Sequence, residues 1–287
     1  MRSLSELHPV LLPLLLQVLE HVDLNGSRDI DALEFMSGAA EITKASARNG
    51  LFSVGYDKSY SSTPINDINS QVGFKRAMDL TLRVRRHGAL WCAPVCSTWV
   101  WIGRAGSGRS QESAYCNTDI PRIRASNTMV VRLVLLMLLA WSRGVHLYME
   151  NPSSTIIHYF SPLQEFIMSV LKFKVTVHLS SYGSVYPKPI AVWSTTPQVE
   201  SLKRKKAMAS EKLSTRNSDG SVTGRRKQLK GSQAYPPEFG KAVSAIYKRV
   251  AAEASMDGLL EEDAHAILAH ALSAGGVQLK GCKRKHH

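Results

Sequence analysis

The stretch Leu90-Trp91-Cys92-Ala93-Pro94-Val95-Cys96-Ser97-Thr98-Trp99-Val100 combines an apolar run, a proline and a thiol. The run 89–93 lacks alternation of polar and apolar residues, which is typical of a parallel strand buried on both faces. Pro94 has no amide proton and should end the hydrogen-bonded ladder. Cys96 then falls just past the carboxyl end of the strand, where ligands and reacting groups gather in open α/β sheets. A cysteine can also be a small buried hydrophobic residue, so both roles stay open at this point.

Upstream of this stretch, the chain follows the order strand, small-residue turn, helix and strand. The pattern predicts a strand over Ile30–Met36, a turn over 37–40, a helix over Glu41–Asn49 and a second strand over Leu51–Tyr56. Asp57 follows the second strand. This order is that of the first half of a nucleotide-binding α/β unit.

The turn after the first strand discriminates between classes of cofactor. Small residues there, including Ser37 and Gly38, would let backbone amides approach a ligand, and Asp57 could accept hydrogen bonds from the two hydroxyls of a ribose. No G-x-G-x-x-G follows the strand, which disfavours a pyrophosphate cofactor such as NAD. S-adenosylmethionine, a nucleoside without phosphates, makes fewer demands on glycine. A generic turn with Asp57 solvated is the alternative.

Downstream elements place further acids at the same edge of the sheet. We expect a short strand over Ile65–Asn69 that carries Asp67, and a strand over Val145–Met149 that is followed by Glu150. Further predicted elements are a basic helix over Val72–Arg86, a core helix over Ile123–Arg143, a helix over 160–172, a strand over Lys174–His178, its antiparallel partner over Ile190–Trp193, and a helix over Gly240–Ala254. The sequence therefore predicts one rim that holds Asp57, Asp67, Cys96 and Glu150.

A glycine-rich loop follows the thiol. The segment Trp101–Ser113 contains three glycines with Arg104 and Arg109 between them. Such a loop, directly after a candidate nucleophile, suggests a lid over an anionic substrate. An ordinary surface loop has the same composition, so that interpretation also stays open.

The charge balance indicates a polyanionic partner. The chain of 287 residues has 36 Lys and Arg against 23 Asp and Glu, a net charge of +13. Residues 196–250 hold 13 of these basic residues against 4 acidic ones. Nucleic acid is therefore the expected partner, ahead of an anionic membrane. The dense run Lys203–Lys206 could contact phosphates or act as a nuclear-import signal.

The cysteines, the apolar runs and the histidines indicate the expected compartment and exclude some partners. Four cysteines without paired spacing favour a reducing, intracellular compartment, with the nucleus ahead of the cytoplasm. The most apolar run, Leu133–Trp141, is too short for a membrane span, so no membrane partner is expected. His265 and His270 do not share a helix face, and we expect no metal site.

The signals divide the chain into five parts. An N-terminal helical segment covers 1–28, and an α/β core covers 29–195. A basic linker follows at 196–234, and a helix at 235–256 returns to the core. A C-terminal helix, expected over Leu259–Leu272, and a basic tail make up 257–287.

In this order of elements the chain resembles the C5-cytosine DNA methyltransferases, over residues 31 to about 250. Glu34-Phe35-Met36-Ser37-Gly38-Ala39-Ala40 resembles the first motif of that family, an acid followed by Leu-Phe-Ala/Ser-Gly-x-Gly-Gly. Cys92-Ala93-Pro94-Val95-Cys96-Ser97 resembles its Gly-Gly-Pro-Pro-Cys-Gln motif. Glu150-Asn151-Pro152 corresponds to its Glu-Asn-Val, and Gly240-Lys241-Ala242-Val243 to its late Gly-Asn-Ala-Val. The arginines of its Gln-x-Arg-x-Arg motif have no counterpart.

The resemblance implies a Rossmann-like sheet flanked by helices and specific residue roles. Cys96 would be the nucleophile, and Glu150 would hold or protonate N3 of the cytosine. The residues implied for S-adenosylmethionine are Met36, Ser37, Gly38, Asp57, Asp67, Ile68 and Pro94. From their place on the glycine-rich loop, Arg104 and Arg109 could hold the nucleic-acid strand, together with Lys188, and the resemblance implies that region 196–234 is a reduced target-recognition region.

Two other functions remain open on the sequence. The chain could be a methyltransferase with another acceptor, such as RNA. It could also be a nucleic-acid-binding module that has lost turnover, because its glycine turn is weakened and the two arginines are absent.

Overall fold

The computed structural model describes residues 26–100, 103–218 and 222–254. Its centre is a mostly parallel six-stranded sheet flanked by helices, which confirms the predicted α/β class and is compatible with a Rossmann-like fold. The strands are β1 (Ile30–Phe35), β2 (Ser53–Tyr56), β3 (Val84–Cys92), β4 (His146–Pro152), β5 (Phe173–His178) and β6 (Pro189–Ser194). Their order across the sheet is β2-β1-β3-β4-β6-β5. Neighbours from β2 to β4 are parallel, whereas β6 runs antiparallel to both β4 and β5, as predicted for residues 190–193.

The helices of the described residues connect and cover these strands. They are α1 (Glu41–Arg48), α2 (Gln71–Arg83), the single turn α3 (Arg104–Ser107), α4 (Pro121–Ser142), α5 (Ser161–Ser169), α6 (Arg226–Gly231) and α7 (residues 237–254). A small hairpin of β7 (Ser214–Arg216) and β8 (Val222–Gly224) lies within the basic region. The N-terminal segment up to residue 25 and the C-terminal helix and tail predicted from residue 257 onward lie outside the described residues.

Two hydrophobic cores cover the two faces of the sheet. Leu90 and Cys92 of β3 point into the core formed with α2, α4 and α5. Trp91, between them, points into the core formed with α1 and α7. Successive strand residues face opposite sides, and both sides here are covered, so β3 is apolar without alternation.

Helix α4 is the longest described helix. It is long and apolar enough to cross a membrane by composition, and 61% of its most apolar window is buried inside the protein. Its buried residues, from Ile123 to Trp141, belong mainly to the core on one face of the sheet. Core helices of soluble proteins pass the same compositional test.

The strand order creates a switch point between β1 and β3. From β1 the chain passes through α1 to β2 on one side, and α2 then carries it back to β3 on the other side of β1. At such a point the connections diverge to opposite faces and leave a crevice at the carboxyl ends of the strands. Here the crevice lies beyond Phe35 and Cys92, which are register partners.

Three predicted boundaries were wrong. The basic helix ends at Arg83, and residues 85–87 belong to β3, where Arg85 pairs with Asp31 of β1 at 2.8 Å. The register between β1 and β3 shifts at a bulge in this segment, which absorbs the extra residues. The segment around Asp67 is a 3-10 turn, Pro64–Asn66, rather than a strand. Glu150 lies inside β4 instead of beyond it, because β6 extends the ladder to Pro152.

Candidate active site at the sheet switch point

The turn after β1 has an unusual backbone. Met36, Gly38 and Ala40 all adopt left-handed conformations, with φ of 56°, 50° and 56°. Glycine adopts this conformation without cost, but Met36 and Ala40 do not. Strained residues of this kind persist where surrounding contacts fix them, and they cluster at functional sites.

Asp57, at the end of β2, is one of the contacts that fix this turn. Its Oδ2 accepts a hydrogen bond from the Gly38 amide at 2.8 Å, and its Oδ1 accepts from the amide and hydroxyl of Ser59. The Tyr60 hydroxyl donates to the Gly38 carbonyl at 3.0 Å and lies 2.7 Å from Ser37 Oγ. The structure therefore brings together Ser37, Gly38 and Asp57, as the sequence predicted.

Asp67 and Ile68 lie on the next connection. Asp67 pairs with Lys58 at 2.7 Å and accepts from the Asn69 amide at 3.0 Å. Partial burial acts in the opposite direction, but Lys58, the Asn69 amide and Arg132 together hold the pKa of Asp67 below its ordinary value. The side chain of Ile68 is buried in the core, and its carbonyl accepts from Arg132.

Cys96 lies in a turn beyond β3 and is partly buried. Its carbonyl accepts from the Trp99 amide at 2.8 Å. Burial raises the pKa of its thiol, Lys188 lowers that pKa, and Glu150 raises it. Lys188 and Glu150, which the resemblance assigns to the same site, therefore act on the Cys96 thiol through their charges.

Glu150 is buried on β4, and only one of its oxygens is held by the protein. Oε2 accepts a hydrogen bond of 2.7 Å from the hydroxyl of Tyr235, which is also buried. Oε1 has no partner among the described residues. A buried carboxylate oxygen without a donor is costly, and it is suited to a ligand that brings a donor.

Asn151 connects the ends of β3 and β4. Its side-chain amide donates to the carbonyl of Pro94 at 2.9 Å, two residues before Cys96. Asn151 is fully buried, and its own Oδ1 has no partner in the described part of the chain. The bond fixes the path of the chain as it leaves β3.

Of the two arginines in the glycine-rich loop, only Arg109 has a side chain within the described part of the chain. Arg104 begins α3, and its side chain lies outside the described part. Arg109 is 2% exposed; it stacks on Trp99 at 3.4 Å, donates to Asn127 Oδ1 at 2.7 Å and also donates to the Ala114 carbonyl. Burial lowers the pKa of Arg109 to about 10. Contact of Arg109 with a nucleic-acid strand would require this loop to open.

A cavity of about 470 Å³ lies beside the thiol. Val95 and Ser97, the neighbours of Cys96, form one side, and Asn69, next to Ile68, lies on another. Its remaining lining residues are Thr98, Gly103, Gly106, Ser107, Arg122, Ala125, Ser126 and Met129. The cavity thus borders the segments next to Cys96 and Ile68, whereas Asp57, Asp67, Cys96 and Glu150 themselves are not among its lining residues in the described part of the chain.

Helix α7 returns to the start of α1. An added Cβ on Gly240 would lie 2.5 Å from the Glu41 carbonyl oxygen, so the two backbones touch there. Asn49 also donates to Ser244 at 2.8 Å. The segment that resembles the family's late motif is thus packed against the helix that follows the Ser37–Ala40 turn.

The surroundings of two buried side chains of the site, Tyr235 and Glu34, were not predicted from the sequence. Tyr235 is 85 residues from Glu150 along the chain, so no local pattern could have paired them. Glu34 matched a motif, but its environment was not foreseen: Thr43 donates to its Oε2 through both amide and hydroxyl. Burial raises the pKa of Glu34 to about 7, against the lowering effect of these two bonds.

Comparison with known proteins finds no protein-family model that matches the chain and no curated protein with significant sequence similarity. Among the described residues, no group of three or more His, Cys, Asp or Glu could hold a metal ion.

Proposed function

We propose that the protein is an S-adenosylmethionine-dependent methyltransferase that acts on C5 of cytosine in DNA. The observation that carries the proposal is the bond from Asn151 to the Pro94 carbonyl, which joins the ends of β3 and β4 and so links the segments that carry Cys96 and Glu150. Lys188 lowers the pKa of the Cys96 thiol, and the buried Glu150 has one unpaired oxygen for a polar ring, a combination that suits covalent catalysis. The reversed strand β6 also departs from the fully parallel order of dinucleotide-binding sheets.

The residues of the switch-point turn fit a nucleoside cofactor. An ionised carboxylate has about four acceptor positions, and Asp57 uses three of them, so one remains for a ribose hydroxyl. No atom lies within 4 Å of where a Gly38 Cβ would be, which leaves space over the turn. The ion pair of Asp67 with Lys58 is partly exposed, and such pairs exchange partners at little cost. Met36, Ile68 and Pro94 complete the proposed cofactor contacts.

In the proposed reaction Cys96 is the nucleophile. Its thiolate adds to C6 of cytosine, which forms a C–S bond and makes C5 a carbon nucleophile. S-adenosylmethionine would supply the methyl group from its sulfonium: the C5–CH3 bond would form as the S–CH3 bond breaks, and neutral S-adenosylhomocysteine would leave. A base then removes the C5 proton, the C–S bond breaks, and the thiolate and the C5–C6 double bond are restored. Glu150 would hold or protonate N3 of the cytosine and so offset the charge that develops on the ring.

Nucleic acid would be held mainly through its phosphates. Lys188 lies within electrostatic reach of the thiol, and residues 196–250 carry an excess of basic over acidic side chains. Phosphate contacts of this kind position a strand without reading its sequence. A target base must leave the duplex to reach a thiol in a recessed site.

The test is transfer of labelled methyl groups from S-adenosylmethionine to duplex DNA. We expect incorporation at cytosine C5, and loss of at least about 100-fold with Cys96→Ala, since the covalent step has no substitute. Cys116→Ala is the matched control, because Cys116 is also partly buried but bonds to the Ser107 carbonyl in the loop. Full transfer by the Cys96→Ala variant would exclude the mechanism.

Two observations support the alternative of a nucleic-acid-binding module without turnover. The Gly38 amide is already bound by Asp57, and burial raises the pKa of the Cys96 thiol, so little thiolate is present near neutrality. Such a module would bind DNA with strong salt dependence but give no thermal shift with S-adenosylmethionine. Methyl transfer to RNA alone, in parallel assays, would instead identify an RNA methyltransferase.

A further inference from the structure

We propose that Tyr235 is a positioning residue that holds one oxygen of Glu150 and leaves the other available to the substrate. This inference rests on the proposed function, in which Glu150 contacts the target base. Tyr235 does not itself touch the reacting atoms. Tyr235 lies between the basic linker, residues 196–234, and α7. Its bond to Glu150 therefore connects this part of the chain to the reaction centre.

The hydrogen bond between the two residues is short and buried. The Tyr235 hydroxyl is 2.7 Å from Glu150 Oε2, and the side chains are 8% and 4% exposed. A buried bond to a carboxylate is stronger than a neutral one and restricts the rotation of the carboxylate about its last bond. Because Oε2 is occupied, only Oε1 is left for a ligand.

The tyrosine is itself fixed by its surroundings. Its ring lies 6.1 Å from the Trp91 ring and 5.1 Å from the Phe239 ring, and the Trp91 indole N–H lies 3.4 Å from its hydroxyl. Burial and the neighbouring Glu150 raise the pKa of Tyr235 well above its ordinary value. The hydroxyl therefore stays protonated and remains a donor throughout the range in which the protein would work.

Tyr235→Phe is the direct test, with Tyr182→Phe as the matched control. The Tyr182 hydroxyl is also buried and donates at 2.8 Å to the Leu202 carbonyl, and its ring also packs on Phe239. Each variant loses one hydroxyl and the hydrogen bond that it donates, and Tyr235→Phe also loses the longer bond of 3.4 Å accepted from Trp91, so comparable losses in Tm are expected. We expect only Tyr235→Phe to lower kcat for methyl transfer, by about 10- to 100-fold, with the KM for S-adenosylmethionine unchanged.

A double variant separates action through Glu150 from a general structural effect. If Tyr235 acts through Glu150, then Tyr235→Phe combined with Glu150→Gln should lose no more activity than Glu150→Gln alone. Multiplicative losses in the double variant would overturn the inference.

A second measurement does not depend on methyl transfer. The rate of iodoacetamide labelling at Cys96, read from its peptide by mass spectrometry across pH, reports the pKa of the thiol. Glu150→Gln should shift this profile to lower pH, since the Glu150 charge raises the pKa of the thiol. Tyr235→Phe should also move it, because the Glu150 carboxylate loses the bond that fixes its orientation and its charge then lies differently relative to the thiol. Tyr182→Phe should leave it unchanged.

The methyl-transfer assay tests the proposed function, and the labelling assay tests the link between Tyr235 and Glu150, so one can fail without the other. If no acceptor is methylated by the wild-type protein but the labelling profiles shift as expected, the proposed function fails and the link between Tyr235 and Glu150 stands. If Glu150→Gln shifts the profile and Tyr235→Phe does not, the link is overturned. It is also overturned if neither variant shifts the profile.

Discussion

Asn151 of β4 donates a hydrogen bond to the carbonyl of Pro94, and this bond of 2.9 Å joins the ends of two parallel strands. The ladder between β3 and β4 pairs residues only as far as Cys92 and Met149. Beyond that pair, the hydrogen bond from the Asn151 side chain holds the two strands together in place of backbone bonds. The position of Cys96 relative to Glu150 thus depends on a buried amide that sits next to Glu150 in sequence.

Replacing Asn151 by alanine should destabilise the protein and impair the site. The change leaves the Pro94 carbonyl without its side-chain donor, which costs about 1–3 kcal/mol in the free energy of unfolding. Urea denaturation measures this loss. Asn49→Ala is the control, since Asn49 donates to Ser244 at 2.8 Å but lies partly exposed on the other side of the sheet. If Asn49→Ala lowers the free energy of unfolding as much as Asn151→Ala or more, the bond from Asn151 to Pro94 has no special structural role.

Gly240→Ala should separate α7 from α1. The added Cβ would lie 2.5 Å from the Glu41 carbonyl oxygen, a backbone atom that cannot move alone. Overpacking of this kind costs typically about 1–3 kcal/mol, and we expect weaker binding of S-adenosylmethionine in calorimetry. Gly26→Ala, which meets no atom within 4 Å, should change neither quantity. Normal stability and binding in Gly240→Ala would show that the helix can shift freely.

Glu34 should make stability fall as the solution becomes more alkaline. Its pKa is raised, by burial, from 4.5 to about 7, so the folded protein binds a proton between these values where the unfolded chain does not. The stabilisation is complete below pH 4.5 and is lost as pH rises through about 7. Glutamine cannot ionise. We therefore expect the free energy of unfolding of Glu34→Gln, taken relative to wild type, to be higher at pH 8 than at pH 5 by up to about 3 kcal/mol.

Urea denaturation of Glu34→Gln at the two pH values measures this effect. Glu238→Gln, a change at a carboxylate 58% exposed, is the control and should follow the wild-type dependence. An unchanged difference between Glu34→Gln and wild type across this range would mean that Glu34 ionises normally in the folded protein.

Arg109→Lys should loosen the glycine-rich loop. Lysine cannot stack as a plane on Trp99 or bond at once to Ala114 and Asn127, as the guanidinium does. We expect limited proteolysis within residues 103–118 to become several-fold faster. Arg124→Lys, at an exposed position on α4, should leave the rate unchanged. Unaltered cleavage in Arg109→Lys would show that the loop is held by other contacts.

The sequence predicted those features that depend on local pattern. The strands around Phe35, Tyr56 and Cys92 and the antiparallel strand at 190–193 were found because apolar runs end at turn residues. The turn acid Asp57 was placed correctly for the same reason.

Features that depend on distant parts of the chain were not predicted. Arg85 resembled the end of a basic helix because its partner, Asp31, lies on another strand. Glu150 was placed beyond its strand because the pairing with Val192 is not visible in the local sequence. The burial of Arg109 against Trp99 and the contact of Tyr235 with Glu150 likewise join residues whose spacing carries no signal.

The position of α7 has a consequence for how the chain acquires its structure. Phe239, Val243 and Tyr247 complete a core whose other members include Ala32 and Ile42, near the beginning of the described chain. During synthesis, the part of the sheet face that α7 covers must stay exposed until more than two hundred further residues after Ala32 have been made. Such long sequence separations slow folding and expose apolar surface to other molecules. We therefore expect the nascent protein to depend on chaperones more than its size alone would suggest.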